Sequence, residues 1–154
     1  MSMNVSPNLG YRDADAAIRF LVDAFGFELV ARYDGPSPGS IAFAQLRWHE
    51  GGGIMIYSAP AGRRSVADLA VESADGYPAF SVHVDTRDPD AVHARATAAG
   101  AVIQRELQDS PVGTRGFIAR DTEGLFWSFG TPLQTLVKTE EGWSPAGERA
   151  RGQQ

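Results

Sequence analysis

At 154 residues and 16.5 kDa the chain fits one domain, a size at which folding buries about two-thirds of the surface, and its 43% apolar, 21% charged and 10% aromatic composition excludes a disordered or fibrous protein. With no cysteine, disulfides, thiolate nucleophiles and sulfur-ligated zinc or iron are excluded. A net charge of −5 opposes nucleic acid and anionic membrane; with no membrane-length apolar run and no signal-like start, a soluble cytoplasmic protein acting on a small molecule is expected.

In chain order, Val5 to Gly10 reads as a first strand. Asp13 to Phe25 has Ala17, Phe20, Leu21 and Ala24 at helical spacing, with Asp13 as N-cap and Gly26 as the stop. Strands follow at Phe27 to Tyr33, Ile41 to Trp48 and Gly53 to Ser58, separated by turn signals at Gly35 to Gly39 and Gly51 to Gly53. The stretch 59–76, with Arg63 and Arg64, reads as a linker. The plan then repeats about 75 positions on: a strand at Ala79 to Asp85, a helix capped by Asp88 with Pro89 at its start and an Ala91, Ala94, Ala98 seam, a stop at Gly100, and strands at Ala101 to Gln108, Thr114 to Arg120 and Gly124 to Gly130. The expected fold class is therefore α+β: two β-α-β-β-β modules, about 4–58 and 77–131, in one domain spanning 1–136. A polar tail follows over 137–154, mobile unless Trp143 anchors it.

Four strands carry two differently dressed faces. Phe80, Val82 and Val84 alternate with Ser81 and His83; Leu125, Trp127 and Phe129 with Phe126 and Ser128; Ile54 and Ile56 with Met55 and Tyr57; Val5, Pro7 and Leu9 with Ser6 and Asn8. Each module supplies one helix, so its other face is solvated, packed, or curved around a half-polar cavity.

The phrases YRDADAAIRFLVDAFGFELV, YPAFSVHVDTRDPDAVHARATAAGAVI and GTRGFIARDTEGLFWSFGT resemble the vicinal oxygen chelate superfamily of glyoxalases, bleomycin-resistance proteins and extradiol dioxygenases, over about Val5 to Thr131. Its most specific piece is the D-x-E-G-x-x-W-S-F-G ending, Asp121 to Gly130. The resemblance implies a curved mixed sheet around a cleft, commonly in a homodimer, with metal ligands on the first and last strands of each module. Those positions fall on Ser6, Met55, Ala79 and Ser128, a set that cannot supply the three N or O donors a catalytic ion needs, so no metal and no other cofactor is expected.

Of the three histidines, His49 reads as a loop residue, His93 as part of a helix's polar face, and His83 as a candidate ligand partner or proton acceptor, or else a satisfied interior histidine. Asn8, Phe43, Gln45, Met55, Tyr57, Ser81, Phe126 and Ser128 are further candidates for lining the cleft. Arg115 is a candidate anchor for a carboxylate or carbonyl, with pairing to Asp109 or Asp121 as the alternative. Phe117, like Tyr57 and Phe126, is a candidate for stacking on a planar ligand, whereas Trp127 belongs to the helix-facing core. Gly35 to Gly39 matches the G-x-S-x-G nucleophile elbow, but Pro38 lacks the N–H an oxyanion hole requires and no helix follows. The expected function is metal-independent binding of a small, partly aromatic molecule; the rival is an enzyme of the same superfamily.

Overall fold

The computed structural model describes residues 5–70, 74–133, 136–139 and 142–145. The first module comprises β1 (Asn8–Tyr11), α1 (Ala14–Phe20), β2 (Glu28–Asp34), β3 (Ile41–Arg47) and β4 (Gly53–Ser58). The second comprises β5 (Ser81–Asp85), α2 (Pro89–Ala98), β6 (Val102–Asp109), β7 (Arg115–Arg120) and β8 (Phe126–Gly130). Each forms a mixed four-stranded sheet of the same order, β1-β4-β3-β2 and β5-β8-β7-β6, with the first strand parallel to the last and the other pairs antiparallel. The two modules of the α+β plan are thus present as a duplication. Part of the expected polar tail is ordered as a hairpin of β9 (Leu136–Thr139) and β10 (Gly142–Pro145), which pairs Trp143 with Lys138; the rest of that tail lies outside the described residues.

Both helices begin as their sequences dictate. Asp13 accepts from the Ala16 N–H and Asp88 from the Ala91 N–H, each at 3.0 Å, satisfying a donor that the first turn leaves free. α1 then widens into a π-helical turn over Leu21–Phe25, where Phe20 and Phe25 meet edge to face at 5.1 Å, and Gly26 ends it with φ of 88°. On α2 the expected Ala91, Ala94, Ala98 seam is exposed; Pro89, Val92 and Ala96 are buried instead. Turning Val92 inward buries more apolar area than any alanine could offer against the end of the first helix. β1 and β5 also start later than expected, at Asn8 and Ser81. Pro7 has no N–H to give a ladder, so it contributes only its carbonyl, to Met55 N at 2.9 Å, and Val5 stays 89% exposed. Within the linker, Val66 is buried under a short 3-10 turn closed by Asp68 accepting from Ser65 N at 2.7 Å.

The helix-facing sides of both sheets share one core. Phe25 reaches across to Phe129 at 4.8 Å and Trp127 at 5.7 Å, Phe27 touches Trp48 and Trp127, and Phe117 stacks on Phe129 at 5.2 Å. Reciprocal contacts then lock the halves. The β7–β8 turn sends Glu123 to the backbone N–H groups of Arg12 and Asp13, both at 2.9 Å, while the β3–β4 turn sends Glu50 to Arg87 N at 3.0 Å. Each module therefore places a carboxylate at the start of the other's helix, where unpaired N–H groups and the dipole favour negative charge.

Candidate functional site

With one face of each sheet committed to the shared core, the opposite faces are what remains for a ligand. Strand pairing sets their side chains in rows. On the first sheet, Asn8, Met55, Gln45 and Ala31 form one row, and Gly10 beside Tyr57, with Phe43 beside Tyr33, form the next. The equivalent rows on the second sheet are His83, Ser128, Ile118 and Arg105, then Asp85, Gly130, Gly116 and Gln108.

The first face is filled by its own side chains. The Tyr57 ring lies over Gly10 so closely that a Cβ there would sit 2.7 Å from it, and Tyr33 stacks on Phe43 at 4.6 Å. The second face has glycine at both corresponding positions, Gly130 and Gly116, and is hollow. One cavity of about 370 Å³ runs over Ser81, Phe126, Ile118 and Ser128, walled by Tyr77 and Pro78. Another of about 360 Å³ covers His83, Gly116, Gly130 and Gln108. Ser128 and Arg105 border both.

At the centre His83 Nδ1 lies 3.0 Å from Ser128 Oγ and Nε2 lies 3.1 Å from Asp85 Oδ1. The Asp85 carboxylate favours the proton on Nε2, which leaves Nδ1 to accept from the Ser128 hydroxyl. Serine, histidine and aspartate in a chain suggest an acyl-transfer nucleophile, but Ser128 sits mid-strand between β5 and β7, where the surrounding backbone N–H groups are committed to the ladders. The ladders therefore leave no strand N–H pair beside Ser128 to serve as an oxyanion hole. The chain can orient a ligand or accept a proton.

The candidate residues divide accordingly. Ser81, His83, Phe126 and Ser128 come together on the second face; Asn8, Phe43, Gln45, Met55 and Tyr57 come together on the first, and none of the four cavities described here unites the groups. The cavity between the modules, about 490 Å³, is lined by Phe27, Trp48, Glu50, Val84 and Arg87 and takes only His83 from the candidates. One assignment is corrected. Phe117 is fully buried on the helix side, stacked on Phe129 with the His93 ring edge against it, so it cannot face a ligand. Arg115 borders the hollow over His83 and Gly116, but its guanidinium is already held, bidentate to Asp90 at 2.8 and 2.9 Å and, as the alternative reading expected, bonded to Asp109 at 3.2 Å, with Asp121 not among its partners. These pairs hold the Asp90 carboxyl below its usual range.

The positions beside Met55 and Ser128 also differ from expectation. Ser6 and Ala79 precede the strands, and the neighbours in register are Asn8 and His83. Amide, thioether, imidazole and hydroxyl do not make a divalent-metal site, and no three His, Cys, Asp or Glu side chains converge among the described residues. The donor set does not fit the metal that the superfamily's enzymes use.

Sequence reasoning missed Arg105. Simple alternation puts it on the side of Ile103 and Leu107, but the register shifts between Ile103 and Arg105, and this bulge turns it to the open face opposite Ile118. No motif in the sequence signals that extra residue. The D-x-E-G-x-x-W-S-F-G ending proves to be a latch. Asp121 accepts from Tyr11 Oη at 2.6 Å and from Trp127 Nε1, Glu123 N and Leu125 N, each at 3.0 Å. Burial pushes both the Asp121 carboxyl and the Tyr11 phenol up from their ordinary pKa values.

Comparison with known proteins places this geometry in a family context. The model of the Glyoxalase/Bleomycin resistance protein/Dioxygenase superfamily matches residues 5–129. An uncharacterized protein of Mycobacterium bovis is 33% identical over 144 residues, covering 91% of this chain and 93% of that protein. Among solved structures, TioX from Micromonospora sp. ML1 is 36% identical with a TM-score of 0.65, over 86% of this chain and 100% of that one. A glyoxylase/bleomycin resistance protein/dioxygenase domain from Frankia sp. EAN1pec shares the fold at 19% identity and a TM-score of 0.61, over 85% and 92%. No helix among the described residues is long and apolar enough to cross a membrane.

Proposed function

The chain belongs to the glyoxalase/bleomycin resistance protein/dioxygenase superfamily, and on that premise we propose that it binds and sequesters a small, partly aromatic molecule on the open face of its second sheet, without a metal ion. The observation that carries this reading is the pair of hollows, about 370 and 360 Å³, joined at Ser128. Their volumes suit small-molecule sites, in which apolar walls supply affinity and a few polar groups fix orientation. Phe126, Ile118 and Tyr77 provide the walls, and His83 and Ser128 the polar groups. A homodimer fits the same reading: Tyr33 and Phe43, 58% and 39% exposed on the first face, offer an apolar surface with which a second copy would close the hollow.

The hydrogen-bonded chain through His83 favours a second reading, an enzyme in which Nδ1 accepts a proton from a substrate C–H or O–H. One experiment separates the two. The protein, dialysed against chelator, is titrated with neutral bicyclic aromatics such as 2-naphthol and quinoline derivatives, and each compound is recovered and weighed by mass spectrometry. Sequestration predicts a thermal shift equivalent to about 2.7 kcal/mol at a hundredfold excess over Kd, with the compound unchanged. Chemically altered compound indicates the enzyme. Binding that vanishes with chelator and returns with nickel, zinc or manganese overturns the metal-free reading.

A further inference from the structure

We propose that the molecule held on the second face is an aromatic anion, its carboxylate, or a group of like charge, held by Arg105; the inference rests on the site just described and adds the ligand's chemical class. The other arginines of the second module are engaged. Arg87 reaches toward Glu50, Arg95 donates to the carbonyls of Val22 and Asp23, Arg115 is divided between Asp90 and Asp109, and Arg120 lies 4.2 Å over the Phe126 ring while bonding to Gln104. Arg105 alone of these has no hydrogen-bond or ion-pair partner among the described residues, yet a bulge turns it onto the face and it borders both hollows. A guanidinium left without a carboxylate beside a concave apolar surface is a ready fork for an anion.

Position sets the rest of the class. Arg105 lies two strands from Ser128, roughly 10 Å at ordinary strand spacing, and a further strand from His83. The intervening surface is Ile118, flanked by Phe126 and by the bare backbone of Gly116 and Gly130. At the far end Asp85 holds negative charge against His83, so that end repels an anion and favours a donor such as a phenolic hydroxyl. Asp75 lines the first hollow together with Arg105 and accepts from Tyr77 N. The polarity of the face therefore selects a planar body with an anionic group toward β6 and a hydroxyl toward β5.

The test uses 6-hydroxy-2-naphthoate and its neutral amide, 6-hydroxy-2-naphthamide, with wild type, Arg105→Gln and Arg105→Lys, read by calorimetry. The expected result is an acid bound about tenfold or more tighter than the amide by the wild type, a preference abolished in Arg105→Gln, partly kept in Arg105→Lys, and weakened by salt. Amide affinity should fall less than acid affinity in Arg105→Gln, since the amide loses only packing against the side chain, and unchanged thermal denaturation should show that the fold is intact, Arg105 being exposed. Equal binding of acid and amide by the wild type, or a preference that survives Arg105→Gln, overturns the anion assignment while the aromatic site stands. Failure of both compounds to bind overturns the site and the assignment together.

Discussion

The two modules share strand order, pairing and helix caps, yet one open face is filled and the other is hollow. Tyr57 and Phe43 of the first occupy the positions of Gly130 and Gly116 in the second. Ala31 stands where Arg105 does, and Met55 where Ser128 does. The backbone of a duplicated unit therefore does not decide which open face is left hollow. Two aromatic-to-glycine differences remove the side chains that would cover the sheet, and a bulge then brings a charge to the rim.

Their turns diverge in the same way. Both close with a glutamate on the partner's helix start, but the residue two before it is Trp48 in the first turn, donating to Asp85 O at 3.1 Å, and Asp121 in the second, accepting four hydrogen bonds. The largest effect should come from breaking the second turn. Asp121→Ala would strand the Tyr11 hydroxyl and the Trp127 indole N–H in the core and is expected to cost about 3–5 kcal/mol. Thermal denaturation should register a Tm loss of roughly 10 °C. A loss under about 1 kcal/mol would show that the turns are energetically alike.

A second substitution makes the faces alike. A Cβ at Gly130 would meet Arg115 O at 3.4 Å and His83 Cε1 at 3.7 Å, both ordinary contacts, so Gly130→Tyr can lay its ring where Tyr57 lies in the other module. Ligand affinity should drop about a hundredfold, near 2.7 kcal/mol, with Tm changed by only a few degrees. Retained affinity would move the binding site off this face. Gly116 does not permit the same experiment, because a Cβ there would lie 2.3 Å from Phe129 O, a backbone atom that cannot turn aside.

The fold was legible because caps, stops and period-two alternation are local signals, and they recur 75 residues apart at Asp13 and Asp88. The grouping of Ser81, His83, Phe126 and Ser128 follows from alternation alone. Three things were not legible. The bulge that turns Arg105 has no sequence signature. Phe117 shows only that it is aromatic, and its face is fixed by pairing with Phe129. Arg115 finds Asp90 through the docking of α2, a tertiary relation that spacing does not encode.

The smallest expected effect concerns the titration of the two turns, which should run in opposite directions. The Thr86 hydroxyl, with the Arg87 N–H, holds the Glu50 carboxyl below its usual range. A carboxylate depressed in the folded state contributes stability above its unfolded pKa and loses it as pH falls through the folded value. Burial raises the Asp121 carboxyl, so between its unfolded pKa, near 4, and its raised folded value the native state holds more protons than the unfolded chain, and its contribution falls as pH rises. Glu50→Gln should lower stability by no more than about 1 kcal/mol at pH 7, as befits a helix-start carboxylate, and the difference from wild type should shrink on acidification. Asp121→Asn should remove the opposite slope, so that stability no longer declines from pH 4 toward neutrality through this residue. Urea unfolding across that range reads both slopes. Parallel changes in the two variants would mean that the reciprocal turns, for all their different chemistry, respond to protons as one.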